Sequence, residues 1–207
     1  MKSPVIDIKR LREGMLSEFN IASLEQKNII GEDVSGSEIE ELRAEQCVFE
    51  KVVFDKVEIK EGRVVGCIFA KCSFVGALLK DFLIEQSEFK SSWMQGIQMP
   101  NVIFRDCYFK SCKLNVANFR YSKFKDCVFD SCVLQEADFL GVDLINVDFL
   151  DCDLRESQFS QAKLKKVSLK SSQIENICLE KESFGEVTVD TAQAIYLASL
   201  LGLKIED

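Results

Sequence analysis

The chain has 207 residues, enough for one domain or two small ones, and at 47% hydrophobic it can fill a core. Its 34 Asp and Glu against 26 Lys and Arg leave a net charge of -8, which argues against direct contact with a nucleic-acid backbone and suits either a basic partner or plain solubility. Histidine is absent, which removes the commonest general base and a common metal ligand.

The opening stretch MKSPVIDIKRLREGM has no continuous apolar segment of the kind a secretory leader carries. No run of about eighteen apolar residues occurs, so no membrane span and a cytoplasmic location are expected. In that compartment nine cysteines, an odd number, read as free thiols. Residues 1–18 form an N-terminal cap segment, and 7–19 are expected to make a short helix over the first coil.

From Phe19 to Val189 a bulky apolar residue falls at every fifth position, Ala44 being the one small exception. Calling that position i, fifteen of the sixteen phenylalanines lie there, and Phe82 lies at i−2. Position i−2 holds mostly Cys, Ala, Ser and Val, as at Cys112, Ala117, Ser122, Cys127, Cys132 and Ala137. Most charge sits at i−1, i+1 and i+2. Six of the ten glycines (31, 36, 66, 76, 96 and 141) are at i+2, which points to a turn there that sometimes favours positive φ. Five is neither the helical nor the strand period. It describes a coil with one large and one small inward side chain per short straight side, stacked on its neighbours at roughly 4.8 Å per turn. The stretch 92–101, with Trp93, Met94, Met99 and Pro100, fits least well, and a proline at i+1 suggests a local bulge.

The units ADFLG (137–141), CDLRE (152–156) and ANFRY (117–121) resemble the loose A(D/N)LXX consensus of the pentapeptide-repeat proteins. The resemblance spans residues 19–189 and implies an all-β solenoid: a right-handed quadrilateral β-helix, four units per coil. The sequence carries an internal sign of the four. Positions 20 apart should stack, and Phe49, Phe69, Phe89, Phe109, Phe129 and Phe149 form one such core ladder. Eight cysteines fall in two adjacent columns, 47, 67, 107, 127 and 72, 112, 132, 152. About nine coils would make a rod roughly 40 Å long.

The repeat ends at Asp190, a good N-cap, and residues 190–207 form a C-terminal helix and tail with Gly202 as the C′ residue. Ala194, Leu197, Ala198 and Leu201 share one helix face, expected to cover the last coil. Ile195, Tyr196 and Leu200 widen the apolar surface, and Leu203 continues it into the tail. A capping and dimerisation helix, joining two chains through their C-terminal ends into a homodimer, is expected over a helix that caps only its own coil. The tail resembles that of the Qnr quinolone-resistance branch of the family, with its Asp190, Gln193-Ala194, Leu197, Leu201 and Gly202.

Three clusters invite a chemical reading. Stacked cysteines such as Cys112, Cys132 and Cys152 could suggest a thiolate metal site, but parallel side chains do not converge into a closed tetrahedral shell, so they read as small inert fillers. The acidic run Glu136, Asp138, Asp143, Asp148, Asp151, Asp153 and Glu156 is a candidate partner-binding surface, in which Asp138, Asp143, Asp148 and Asp153 ring one coil. A second acidic group, Glu38, Glu40, Glu41 and Glu45, lies near the start, and a basic cluster, Lys163, Lys165, Lys166 and Lys170, follows the ring. No phosphate loop, nucleophile elbow or Cys–His pair is present, so no catalytic residue, metal or cofactor is expected. The Qnr resemblance implies a non-enzymatic DNA mimic that binds a type II topoisomerase, DNA gyrase or topoisomerase IV, and protects it from quinolones. The alternative is a scaffold for another protein, engaged through Trp93, Tyr108 and 92–101.

Overall fold

A computed structural model describes residues 21–180, 183, 186–200 and 202–204, together with positions 4, 6, 7, 11–14 and 16. Phe19, Phe184 and Leu201 of the expected pattern lie outside the described residues. The described strands form one continuous sheet that winds round itself, and every pairing is parallel. The register is twenty residues throughout the repeat: Phe89 stands over Phe109, Phe104 over Phe124, and Phe129 over Phe149. Four five-residue units therefore close one turn, and the chain is an all-β solenoid.

The four sides are named here by their inward columns. The first carries Ile29, the six-phenylalanine ladder and Leu169, which gives eight buried levels; Val187–Thr188 then pairs with the coil above and begins a ninth. Phe54 and Phe74 lie on the second side, Phe119, Phe139 and Phe159 on the third, and Phe104 and Phe124 on the fourth. Rings within a column stack at 4.4 Å (Phe104 on Phe124, interplanar 5°) to 5.1 Å (Phe119 on Phe139, interplanar 20°). Rings on neighbouring sides meet edge-on, as Phe104 does with Phe109 at 5.8 Å. Inter-coil hydrogen bonding fixes the rise near 4.8 Å, so identical rings in one column can only lie flat on one another.

The corners are made at i+2. Every i+2 residue from Gln26 to Asn176 has a left-handed backbone, φ 48–68°, except Glu41 and Glu61. Glycine fills only a few of these positions. Most are Asp, Asn, Ser, Gln or Lys, and Val116 is a β-branched case. At the two exceptions the strands Glu38–Glu45 and Glu58–Val65 run straight across two sides. The coil also reverses its usual order there. Leu42 is the large residue at i−2 and Ala44 the small one at i, and one coil later Gly62 occupies i−2 beneath the ring of Phe82. A Cβ on Gly62 would stand 2.1 Å from Phe82 Cζ, so the large residue in the small column is accommodated by a glycine in the coil before it.

Cysteine and serine at i−2 do more than fill space. Cys132 Sγ donates to the carbonyl of Phe109 at 3.4 Å, Cys112 to Phe89 at 3.4 Å, and Ser122 Oγ to Met99 at 2.7 Å. Each thus ties its coil to the inward residue of the preceding one.

Two expectations are corrected. Arg12–Glu13 is not helical; it is a short strand paired parallel with Lys27–Asn28, a register of fifteen rather than twenty residues. An extended segment there supplies hydrogen-bond partners to the first coil edge, which a helix laid across it would not. Residues 92–101 form no bulge: Met94 and Met99 are buried in frame and Asn101 takes the usual corner geometry. Around Pro100 the nitrogens of 98, 99 and 101 bond to adjacent coils through the backbone, and position 100 has no ladder role. On this side the i+1 N–H bonds to the preceding coil at Lys80 and to a side chain at Arg120, so the proline stands where the ladder stops using that donor and the frame continues past it.

Candidate functional site

The outward positions are set by the same rule. On the third side, from Arg120 onward, the i−1 side chain accepts the i+1 N–H: Leu140 N donates to Asp138 Oδ1 at 3.0 Å, and Arg120 N to Asn118 Oδ1 at 3.0 Å. Arg155 N donates to Asp153 Oδ1 at 3.2 Å on the second side. An Asp or Asn at i−1 is thus a turn-holding residue first.

The four ring aspartates lie on four successive sides of one coil, as their spacing requires, but they do not act alike. Asp138 holds Arg120 Nε at 2.6 Å, Asp153 is gripped by Arg155 through two nitrogens at 2.8 and 2.6 Å, and Asp143 lies 3.7 Å from Lys163. The Arg155 guanidinium holds the Asp153 carboxyl below the usual carboxylate range. Asp148 makes no ion pair among the described residues. Neither do Asp151, Glu136 and Glu156, all three at exposed corners. Within this run the carboxylates without an ion pair among the described residues are therefore these four, spread over the first side and the two corners that follow it. Near the start, Glu40 and Glu41 are likewise neutralised, by Lys60 at 2.6 Å and Arg43 at 2.5 Å.

On the first side Glu88 is only 2% exposed although its position faces outward, between Ile68 and Tyr108 in register. Lys90 Nζ lies 2.8 Å from its Oε2. Beside it Tyr108 donates its hydroxyl to Asp130 Oδ2 at 2.5 Å, and burial together with that carboxylate pushes the phenol up to about 12. Trp93 is 44% exposed but on the second side, so Trp93 and Tyr108 lie on adjacent sides rather than in one patch.

The stacked cysteines are buried, and only Cys178 is exposed. Burial pushes the Cys72 thiol up to about 12, and Cys132, between Cys112 and Cys152, is held well above the ordinary thiol range by its neighbouring thiols. No group of three or more metal-ligating side chains converges among the described residues.

At the C-terminal end the helix spans Thr191–Leu200. Asp190 and Gln193 form a reciprocal cap: Gln193 N donates to Asp190 Oδ1 at 2.9 Å, and Asp190 N to Gln193 Oε1 at 3.0 Å. Gln193 Nε2 also donates to the carbonyls of Leu169 and Ser172 at 2.6 and 2.7 Å, and Asn176 N donates to Tyr196 Oη at 2.6 Å. The helix thus closes open backbone groups of the last coil. Its covered face is Gln193 and Leu197, with Ala194 exposed rather than packed as its spacing with Leu197 suggests. Gln193 escaped the apolar pattern because it works through its amide. Ile195, Leu200 and Leu203 are 50%, 55% and 61% exposed, and Ala198 is half-buried.

No helix is long and apolar enough to cross a membrane among the described residues. A search of curated protein sequences finds no match. Among solved structures the chain is similar to QnrB1, a plasmid-mediated fluoroquinolone resistance protein, at 19% identity and TM-score 0.36, covering 85% of this chain and 100% of that one. It is also similar to HetL of Nostoc sp. strain PCC 7120, involved in heterocyst differentiation regulation, at 12% identity and TM-score 0.35, covering 80% and 86%. A third, Rfr23 of Cyanothece 51142, has 13% identity and TM-score 0.17 over 79% and 91%. Residues 102–179 match the family model for the pentapeptide repeat region. The same five-residue side and twenty-residue register continue N-terminal to that match.

Proposed function

We propose that the chain is a non-enzymatic, cytoplasmic protein-binding rod, paired end to end through its C-terminal helix, whose acidic surface imitates DNA and docks on a type II topoisomerase, DNA gyrase in the first place. The observation that carries it is the acid group Glu136, Asp148, Asp151 and Glu156, without an ion pair among the described residues and held at fixed spacing on the solenoid. The Qnr-like tail supports the pairing, since Ile195, Leu200 and Leu203 leave an apolar surface at the rod's end after Leu197 is buried. Two such rods would reach roughly 80 Å. Titrating purified gyrase in a supercoiling assay, with and without ciprofloxacin, tests it. Inhibition of supercoiling or rescue from the drug at micromolar concentration is expected. If both are absent, the second reading, a scaffold for some other protein, replaces it; the exposed Trp93 on the second side favours that reading.

A further inference from the structure

The fourth side carries the opposite charge from the rest of the rod. On its outward strand positions basic residues outnumber acidic ones, whereas on the other three sides acidic residues outnumber basic ones. Its lower half is the most concentrated part. In register, Arg105 stands over Lys125, Ile145 and Lys165, and Ile103 over Lys123, Asp143 and Lys163.

The arginines of the repeat are matched: Arg43, Arg63, Arg105, Arg120 and Arg155 each hold a carboxylate. Lys123, Lys125 and Lys165, and Lys166 at the adjoining corner, hold none among the described residues, and all four are exposed. Lys163 reaches Asp143 only at 3.7 Å, with most of its side chain in water. Ile145, 41% exposed, sits between Lys125 and Lys165 in the same column.

We propose that this side, Lys123, Lys125, Ile145 and Lys165, binds an extended acidic protein segment with an apolar side chain between its carboxylates. Unpaired like charges repel one another in the free protein, and a carboxylate partner relieves that repulsion as it binds. Lys125, Ile145 and Lys165 span two coil steps, about 10 Å, within reach of alternate side chains of an extended segment at about 6.7 Å apart. Two features favour protein over nucleic acid. The apolar Ile145 stands where a hydrated phosphate backbone would lie. Asp106 and Asp126 run down the adjoining corner and repel a polyanion broader than this one side.

Fluorescence anisotropy with the full chain tests it, using two labelled probes: a peptide repeating Glu-Ser-Leu-Ser-Glu, and oligodeoxythymidylate. The peptide is expected to bind, to weaken with added salt, to lose about tenfold or more in affinity with Lys125→Glu plus Lys165→Glu, and to lose several-fold with Ile145→Ser. The thermal transition of each variant reports whether the solenoid is intact. Absence of peptide binding, indifference to the charge reversal, or oligonucleotide binding as tight as the peptide's overturns the proposal. Loss on charge reversal without any effect of Ile145→Ser overturns it too, because the contact is then with any polyanion.

Discussion

At each position along the rod, a residue's place in the five-residue unit decides what is asked of it. An i residue must fill a flat layer. Phe129, fully buried between Phe109 and Phe149, should cost about 3–5 kcal/mol when changed to Ala. Cys132→Ala removes a small thiol and weak bonds to the Phe109 and Asp130 carbonyls, and should cost under about 1 kcal/mol. Urea denaturation of the two variants measures the contrast. At i+2 the demand is on the backbone. Val116 is β-branched, 56% exposed and held at φ 57°. Val116→Asn, which tolerates that region, should stabilise by about 0.5–1 kcal/mol, again read from the urea midpoint. The inward columns were readable in the sequence because they are selected by side-chain size. The corners were only partly readable: glycine marks a few of them, and the remainder are polar residues that adopt the same φ unannounced.

Between coils, fit is a matter of pairs twenty residues apart. Phe82 looked like a lapse in the pattern, and its compensation at Gly62 belongs to the coil before it. Gly62→Ala should destabilise by about 1–3 kcal/mol through overpacking, and Phe82→Val in the same chain should recover most of that loss. A double-mutant cycle by thermal denaturation checks it; equal losses in the presence and absence of Phe82→Val would show that the two do not touch. Pro100 was misjudged for the converse reason. Sequence shows that a donor is missing, but which donors the ladder uses depends on inter-coil bonding. The two ends divide in the same way. Asp190 and Gly202 act as helix punctuation, legible as residue types in place. Gln193 and the Arg12–Glu13 strand serve backbone groups that exist only once the last and first coils have formed.

For the molecule as a whole, charge is arranged rather than merely summed. Net charge gave the acidic character, but ion pairing, which depends on long side chains meeting across coils, decides which carboxylates remain available. Pairing also predicts a pH response. The Tyr108 hydroxyl and Ser131 hold Asp130 below the ordinary carboxyl range, and Arg155 does so for Asp153. Lowered carboxyls stabilise the fold above the unfolded-state pKa, and that contribution is lost as pH falls through the lower folded-state value. Stability should therefore hold at neutral pH and decline between about pH 5 and 2. Asp153→Asn should flatten part of the decline.

The measurement that bears most directly on the proposed function is gyrase supercoiling titrated with wild-type chain and with a chain carrying Glu136→Lys, Asp148→Lys, Asp151→Lys and Glu156→Lys. These residues are exposed and make no ion pair among the described residues, so the reversal should spare the fold, which circular dichroism verifies. The account predicts that the wild type inhibits supercoiling or rescues it from ciprofloxacin, and that the reversed chain does neither. Equal activity of the two chains on gyrase would contradict the claim that the acidic surface is what the enzyme recognises.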